Sequence, residues 1–163
     1  MLAAKPSILF LFGDQYTRSI MPMKLIMPTV FAIGLSNILG IQMLIPMGRE
    51  NVVVVSEIVG AVVDVIINEL LIPKYGASGA AIGTVTAEFA VLAVQTVALK
   101  TTVLPLVRQI PVWKHVLAAA VSAIPCMAIV GIGWGNFVTL MVSAILFFGI
   151  YLIILILLKE PFI

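Results

Sequence analysis

Long apolar runs alternate with short polar breaks along the chain. The runs cover 25–47, 52–72, 79–99, 116–134 and 137–158. At about 1.5 Å of rise per residue, each supplies the roughly 20 residues that a helix needs to cross about 30 Å of hydrocarbon. The breaks have the residues of helix ends: Gly48-Arg49-Glu50-Asn51, then Pro73-Lys74-Tyr75-Gly76, then a long segment at 100–115, then Gly135-Asn136. This pattern predicts an all-α, polytopic integral membrane bundle of five spans, the first three joined by tight hairpins. Ahead of them, 7–12 is apolar but too short to span, and Gly13-Asp14 closes it. It is predicted to be the end of a preceding helix. As a signal peptide it fails, because Pro6 interrupts its start and no small-residue cleavage site follows. Four segments result: 1–24, a helix end and extracytoplasmic loop; 25–99, three helices with polar inner faces; 100–115, a cytoplasmic loop; and 116–163, two C-terminal spans.

Composition points the same way. Of 163 residues 63% are hydrophobic and 10% charged, with a mean hydropathy of +1.26, too little polar cover for a surface in water. Nine Lys and Arg against seven Asp and Glu leave a net charge of +2, too small and dispersed for a nucleic-acid footprint, so no nucleic-acid partner is expected. Cys126 is the lone cysteine, so no intrachain disulfide can form. Its expected role is that of a small buried hydrophobe.

Cations in short loops tend to stay cytoplasmic. One side would carry Arg49, Lys100, Arg108, Lys114 and Lys159, the other Lys5, Arg18, Lys24 and Lys74. The basic segment 100–115 and the uncharged turn at Gly135-Asn136 favour a cytoplasmic C-terminus. "KTTVLPLVRQIPVWKH" mixes Trp113, leucines and cations, which suits either the headgroup layer or an ordinary linker.

Within the apolar runs the polar residues are aligned. In the second run Glu57, Asp64 and Asn68 are spaced by seven and four, so on a helix they point within about 20° of one direction, with Gly60 and Ala61 beside them. Glu69 is turned about 100° away and is expected at the interface. The third run repeats the spacing with Thr84, Glu88 and Gln95, and the first places Thr29, Ser36 and Gly40 on one face, with Asn37 and Gln42 off it. A carboxylate at mid-membrane costs about 2.5 to 3.5 kcal/mol on insertion scales, so Glu57, Asp64 and Glu88 are expected to face a wet cavity or the bundle interior. The other role open to them is interhelical hydrogen bonding in protonated form.

Gly76, Gly79 and Gly83 match neither the dinucleotide fingerprint nor the Walker loop, whose amides must face phosphate. Gly79 and Gly83 instead form a small-residue face with Ala80 and Ala87, which lets helix backbones approach closely in lipid. His115 is the only histidine, and no Cys or His pair exists for a metal. Paired-aspartate and nucleophile-elbow motifs are absent. No enzyme activity, metal or cofactor is expected.

"LFGDQY" at 11–16, "GLSNILGIQMLIPMGRE" at 34–50 and "VVDVIINELLIPKYGASGAAIGTVTAEF" at 62–89 together resemble bacterial oligosaccharide and polysaccharide flippases. That superfamily also holds multidrug and toxic-compound extruders. The resemblance extends over nearly the whole chain and is most specific in the IPKYG-x-x-GAA-x-GT-x-x-x-E hairpin at 72–88. It implies a two-lobe helical fold in the bacterial cytoplasmic membrane that passes an undecaprenyl-linked oligosaccharide across it for cell-surface polysaccharide. This chain would match part of the second lobe, as the distal piece of an interrupted frame, a split subunit assembling with a separate first half, or a self-associating protein. The family pattern at 64 and 68 is two asparagines; Asn68 fits and Asp64 departs.

In this scheme Glu57, Asp64, Asn68, Thr84, Glu88 and Gln95 line the headgroup passage, bonding sugar hydroxyls or taking up a coupling cation. Arg49, Arg108 and Lys114 draw the pyrophosphate to the cytoplasmic mouth, since a phosphate held by cations avoids part of its desolvation cost. The alternatives are a drug or small-cation exporter of the same superfamily and a non-transporting subunit that anchors polysaccharide enzymes.

Overall fold

The computed structural model describes residues 4–109, 112–131 and 135–157, and these are helical with no strand among them. Trp134, Leu158 and Lys159 lie outside the described residues. The helices are α1 (Ala4–Phe12), α2 (Ile20–Ile26), α3 (Pro28–Asn37), α4 (Glu50–Tyr75), α5 (Ala77–Ala98), α6 (Lys100–Gln109), α7 (Val112–Gly131) and α8 (Asn136–Leu157). A 3-10 segment, Asp14–Ser19, precedes α2, and a π-helical segment, Ile38–Leu44, follows α3. Two compact units form, one from Met1–Ile20 with Val107–Ile163 and one from Met21–Leu106.

Two helices are long and apolar enough to cross a membrane, Ala77–Ala98 and Asn136–Leu157, and a third span results if the bent pair Asp14–Ile26 and Pro28–Leu44 counts as one. Of the five spans expected from hydropathy, two or three are met by length and composition among the described residues. The first predicted span, 25–47, is interrupted at Met27, where the bent pair turns by 41°. Pro28 has no N–H for the Lys24 carbonyl, and its ring crowds the preceding turn. Thr29 repairs part of the damage, its hydroxyl donating to the Ile26 carbonyl at 2.6 Å.

Within 100–115, expected as a loop, the described residues are helical, 100–109 as α6 and 112–115 as the start of α7, while 110 and 111 lie outside the described residues. The segment carries no glycine, and Leu99 passes the chain on by accepting the amides of Thr102 and Val103 at 2.9 and 2.8 Å. A helix satisfies its own backbone, as an apolar segment near lipid must.

In the second unit, Leu39, Leu44 and Leu99 form a buried cluster, with Met43, Val52, Val53, Leu92 and Val103 packed around it. The chain leaves the π-helical segment through a glycine-capped end: the amide of Gly48, at φ 68°, bonds Ile45 and that of Arg49 bonds Leu44, both at 2.9 Å. Glu50 then opens α4, its charge suited to a helix N-terminus. Gly76, at φ 55°, ends α4 with an amide bond to Ile72 at 2.8 Å, and only a residue without Cβ takes that turn into α5 cheaply. Pro73 sits in the last turn of α4 rather than after it.

In the first unit, α7 and α8 pack together and α1 packs on α8, the Phe10 and Phe137 rings lying 5.3 Å apart. Ala118, Ser122, Cys126 and Ile129 form the buried stripe of α7, at the three- and four-residue spacing of one helix face. Helix α7 continues through Pro125. The outer residues of α8, such as Ile145, Phe148, Leu152 and Ile156, are exposed. That amount of bare apolar surface suits lipid rather than water.

Candidate functional site

Helices α4 and α5 run antiparallel because Gly76 reverses the chain, and they approach closely because the facing positions are small. A Cβ on Gly79 would stand 2.5 Å from the Leu71 carbonyl oxygen. On Gly60 it would meet the Val91 side chain and lie 3.4 Å from the Ala87 carbonyl. On Gly83 it would overlap the Asn68 carboxamide and lie 3.3 Å from Asp64 Oδ1. Gly79, Gly83 and Ala87 are buried, as the small-residue spacing predicts, and Gly60 of α4 is their counterpart.

A cleft of about 210 Å³ runs along one edge of this contact. Glu57, Gly60, Ala61 and Asp64 of α4 line one wall; Thr84, Ala87, Glu88 and Val91 of α5 line the other. The antiparallel register sets Glu88 opposite the stretch between Glu57 and Asp64, within electrostatic reach of both. Glu57 is exposed, whereas Asp64, Thr84 and Glu88 are half-buried. Among the described residues no Lys or Arg lines the cleft. Among the described residues no group of three or more acids, histidines or cysteines is placed to hold a metal ion.

Asn68 lies one turn beyond Asp64, pressed against Gly83. Asp64 Oδ1 and Asn68 Oδ1 are both buried and neither has a hydrogen-bond partner. Two acceptors therefore meet at Gly83 with no donor between them. A buried acceptor left unpaired costs about 1 to 3 kcal/mol, so the arrangement favours any group that brings N–H or O–H.

Of the six residues singled out by spacing, the structure brings Glu57, Asp64, Thr84 and Glu88 together in the cleft and sets Asn68 beside it. Gln95 goes elsewhere. It is 1% exposed, its Nε2 donates to Ser56 Oγ at 3.1 Å, and Ser56 donates in turn to the Val53 carbonyl at 2.7 Å. Gly40 of the π-helical segment seats on the Gln95 carboxamide: a Cβ there would lie 3.1 Å from Nε2. Glu69 is exposed, turned away from the cleft.

Arg49 Nη1 donates to the Ala98 carbonyl at 3.1 Å, so the guanidinium caps the C-terminus of α5, where the helix dipole favours positive charge. Lys114 is half-buried in the first turn of α7. Arg108 belongs to α6, and its side chain lies outside the described residues. Spacing alone did not single out Ser56 or the contact of Gly40 with Gln95. A serine one position before Glu57 was the visible signal for the first; the second depends on which helix crosses α5.

Comparison with protein-family models, characterised protein sequences and solved structures gives no significant match to this chain.

Proposed function

We propose that the chain is a five-span, multi-pass part of a flippase in the bacterial cytoplasmic membrane, and that the α4–α5 cleft lines the path of the sugar part of a lipid-linked oligosaccharide. In this proposal the chain belongs to the second lobe and acts with a first lobe, as a separate chain or a preceding part of a longer one. The observation that supports it is the convergence of the Glu57, Asp64 and Glu88 carboxylates on one open cleft, with the unpartnered Asn68 acceptor beside it. Sugar hydroxyls supply the donors such a wall calls for. The pyrophosphate would travel apart from this wall, because three carboxylates repel it.

The absence of any Lys or Arg from the cleft lining among the described residues favours one second reading, export of an organic cation by the same wall. An ammonium group would satisfy both the charge and the unpaired acceptors.

The test is Glu57→Ala, Asp64→Ala and Glu88→Ala combined in the native host. Expected are loss of surface polysaccharide and accumulation of its lipid-linked precursor, with the chain still at normal level in the membrane. Unaltered polysaccharide with lost resistance to cationic toxins selects the cation exporter. Unaltered transport with a polysaccharide enzyme released from the membrane selects an anchoring subunit and ends the transport proposal.

A further inference from the structure

Among the described residues the backbone leaves regular α geometry within one helical run at Ile38–Leu44, where Ile45 N–H reaches back five residues to the Gly40 carbonyl at 3.0 Å. Pro46 explains part of this. It has no N–H for Gln42 in the α register or for Ile41 in the π register. With Ile45 bonded to Gly40 and Met47 bonded to Met43 at 3.2 Å, the carbonyls of Ile41 and Gln42 receive no amide from the turn that follows. Rewinding by one residue would give Ile45 N–H to the Ile41 carbonyl and leave the Gly40 carbonyl to Leu44, so the α register satisfies one more acceptor. Intrinsic backbone bonding therefore does not select the π register. Something outside the helix must.

That contact is the Gly40–Gln95 seat. Gln95 is nearly fully buried, is tied on one side to Ser56 of α4, and has its Oε1 unpartnered. A Cβ at this point would lie 3.1 Å from Gln95 Nε2, so that the tied carboxamide would have to give way by a few tenths of an ångström, and the π register places Gly40 there. One residue of rewinding turns the helix by about 100° and would bring a neighbour's side chain into the same space. Gln95 Oε1 also stands beside the segment as a spare acceptor, able to hold an amide that is between partners. Segments of π-helix inside α-helices often coincide with functional sites.

We propose that Ile38–Leu44 is a two-register switch, locked in its π form by Gly40 seating on the Gln95–Ser56 pair, and that unlocking rewinds it to α and rotates α3 against α5. The C-terminal end stays fixed, anchored by the Gly48 cap and by Arg49 on the Ala98 carbonyl. Rotation therefore falls on α3, which packs along α5. The switch is a property of the helices and needs no particular cargo, so it stands or falls separately from the flippase proposal.

The test uses the full chain in lipid nanodiscs, with spin labels on cysteines placed at Ile33 of α3 and Val97 of α5, both exposed, in a Cys126→Ala background. Gln95→Leu is expected to shift the distance distribution to a second population, changing the ratio of the two at least five-fold, and Ser56→Ala to shift it the same way by less. Amide exchange at Leu44 and Ile45 is expected to rise at least ten-fold in both variants. If Gln95→Leu does not fold, Ser56→Ala decides by the same two readouts. An unchanged distance distribution together with unchanged exchange in a folded variant overturns the switch.

Discussion

In the α7–α8 pair the buried polar groups are small and mostly spend their hydrogen bonds on helix backbone. Ser122 donates to the Ala118 carbonyl at 2.7 Å, and the Cys126 thiol lies 3.3 Å from the carbonyls of Ser122 and of Ser143. Only the Ser143 hydroxyl among these three is buried without a partner. In the α4–α5 pair the polar groups include carboxylates and carboxamides as well as hydroxyls, the helices touch through Gly60, Gly79 and Gly83, and Asp64 and Asn68 point unpaired acceptors along the contact. If α4 and α5 both span the membrane, as proposed, their pair keeps three acidic side chains where insertion is costly, and that cost is understandable if the groups meet water or a donor-bearing cargo.

The largest effect is expected at Asp64, near the middle of α4. Asp64→Leu is expected to improve insertion of the isolated α4 segment by about 3 kcal/mol, read as the fraction spanning the membrane in a glycosylation-site insertion assay. A gain under about 1 kcal/mol would place Asp64 near the interface and remove the contrast with α8. Next comes the helix contact. Gly79→Ala is expected to cost about 2 to 3 kcal/mol, because its new methyl meets the Leu71 backbone carbonyl, which cannot yield without parting the helices. Gly83→Ala should cost less, since the end of the Asn68 side chain can move aside. Gly149→Ala in α8, with nothing within 4 Å of the added methyl, should stay within about 0.5 kcal/mol. Reversible unfolding of each variant in mixed micelles measures all three. The smallest effect is expected at Ser143→Ala, within about 0.5 kcal/mol of neutral or stabilising, because the hydroxyl removed had no partner; a loss above about 1.5 kcal/mol would mean that α7–α8 also depends on its polar groups.

Spacing was enough to find the acidic wall. Seven- and four-residue intervals put Glu57 with Asp64 and Thr84 with Glu88, and the glycine interval at 79 and 83 marked the surface along which α4 meets α5. All of these follow from one helical period. Gln95 shares the period of Glu88 yet is held by Ser56 beneath Gly40, because a helix face is not uniform along its length: another element crosses it at one end. The break at Met27 was written in Pro28, but a hydropathy average passes over a single imino acid. The helix at Lys100–Gln109 was obscured by Pro105 and by the polar residues around it, which read equally as a linker. The π-helical segment follows from Pro46 only together with the Gln95 seat, and no local pattern encodes a contact between residues that far apart.

On the proposed reading, the acidic edge of α4 and α5 faces water while the outer faces meet lipid. The direct measurement is the reaction of single cysteines with membrane-impermeant thiosulfonates, which attack only hydrated, ionised thiols, in a Cys126→Ala background of the full chain in its native membrane. Cysteines replacing Glu57 and Glu88 are expected to react at least ten-fold faster than one replacing Ile145 of α8, and faster with a cationic reagent than with an anionic one of the same size. Equal, slow labelling at all three positions with no preference for the cation would contradict it.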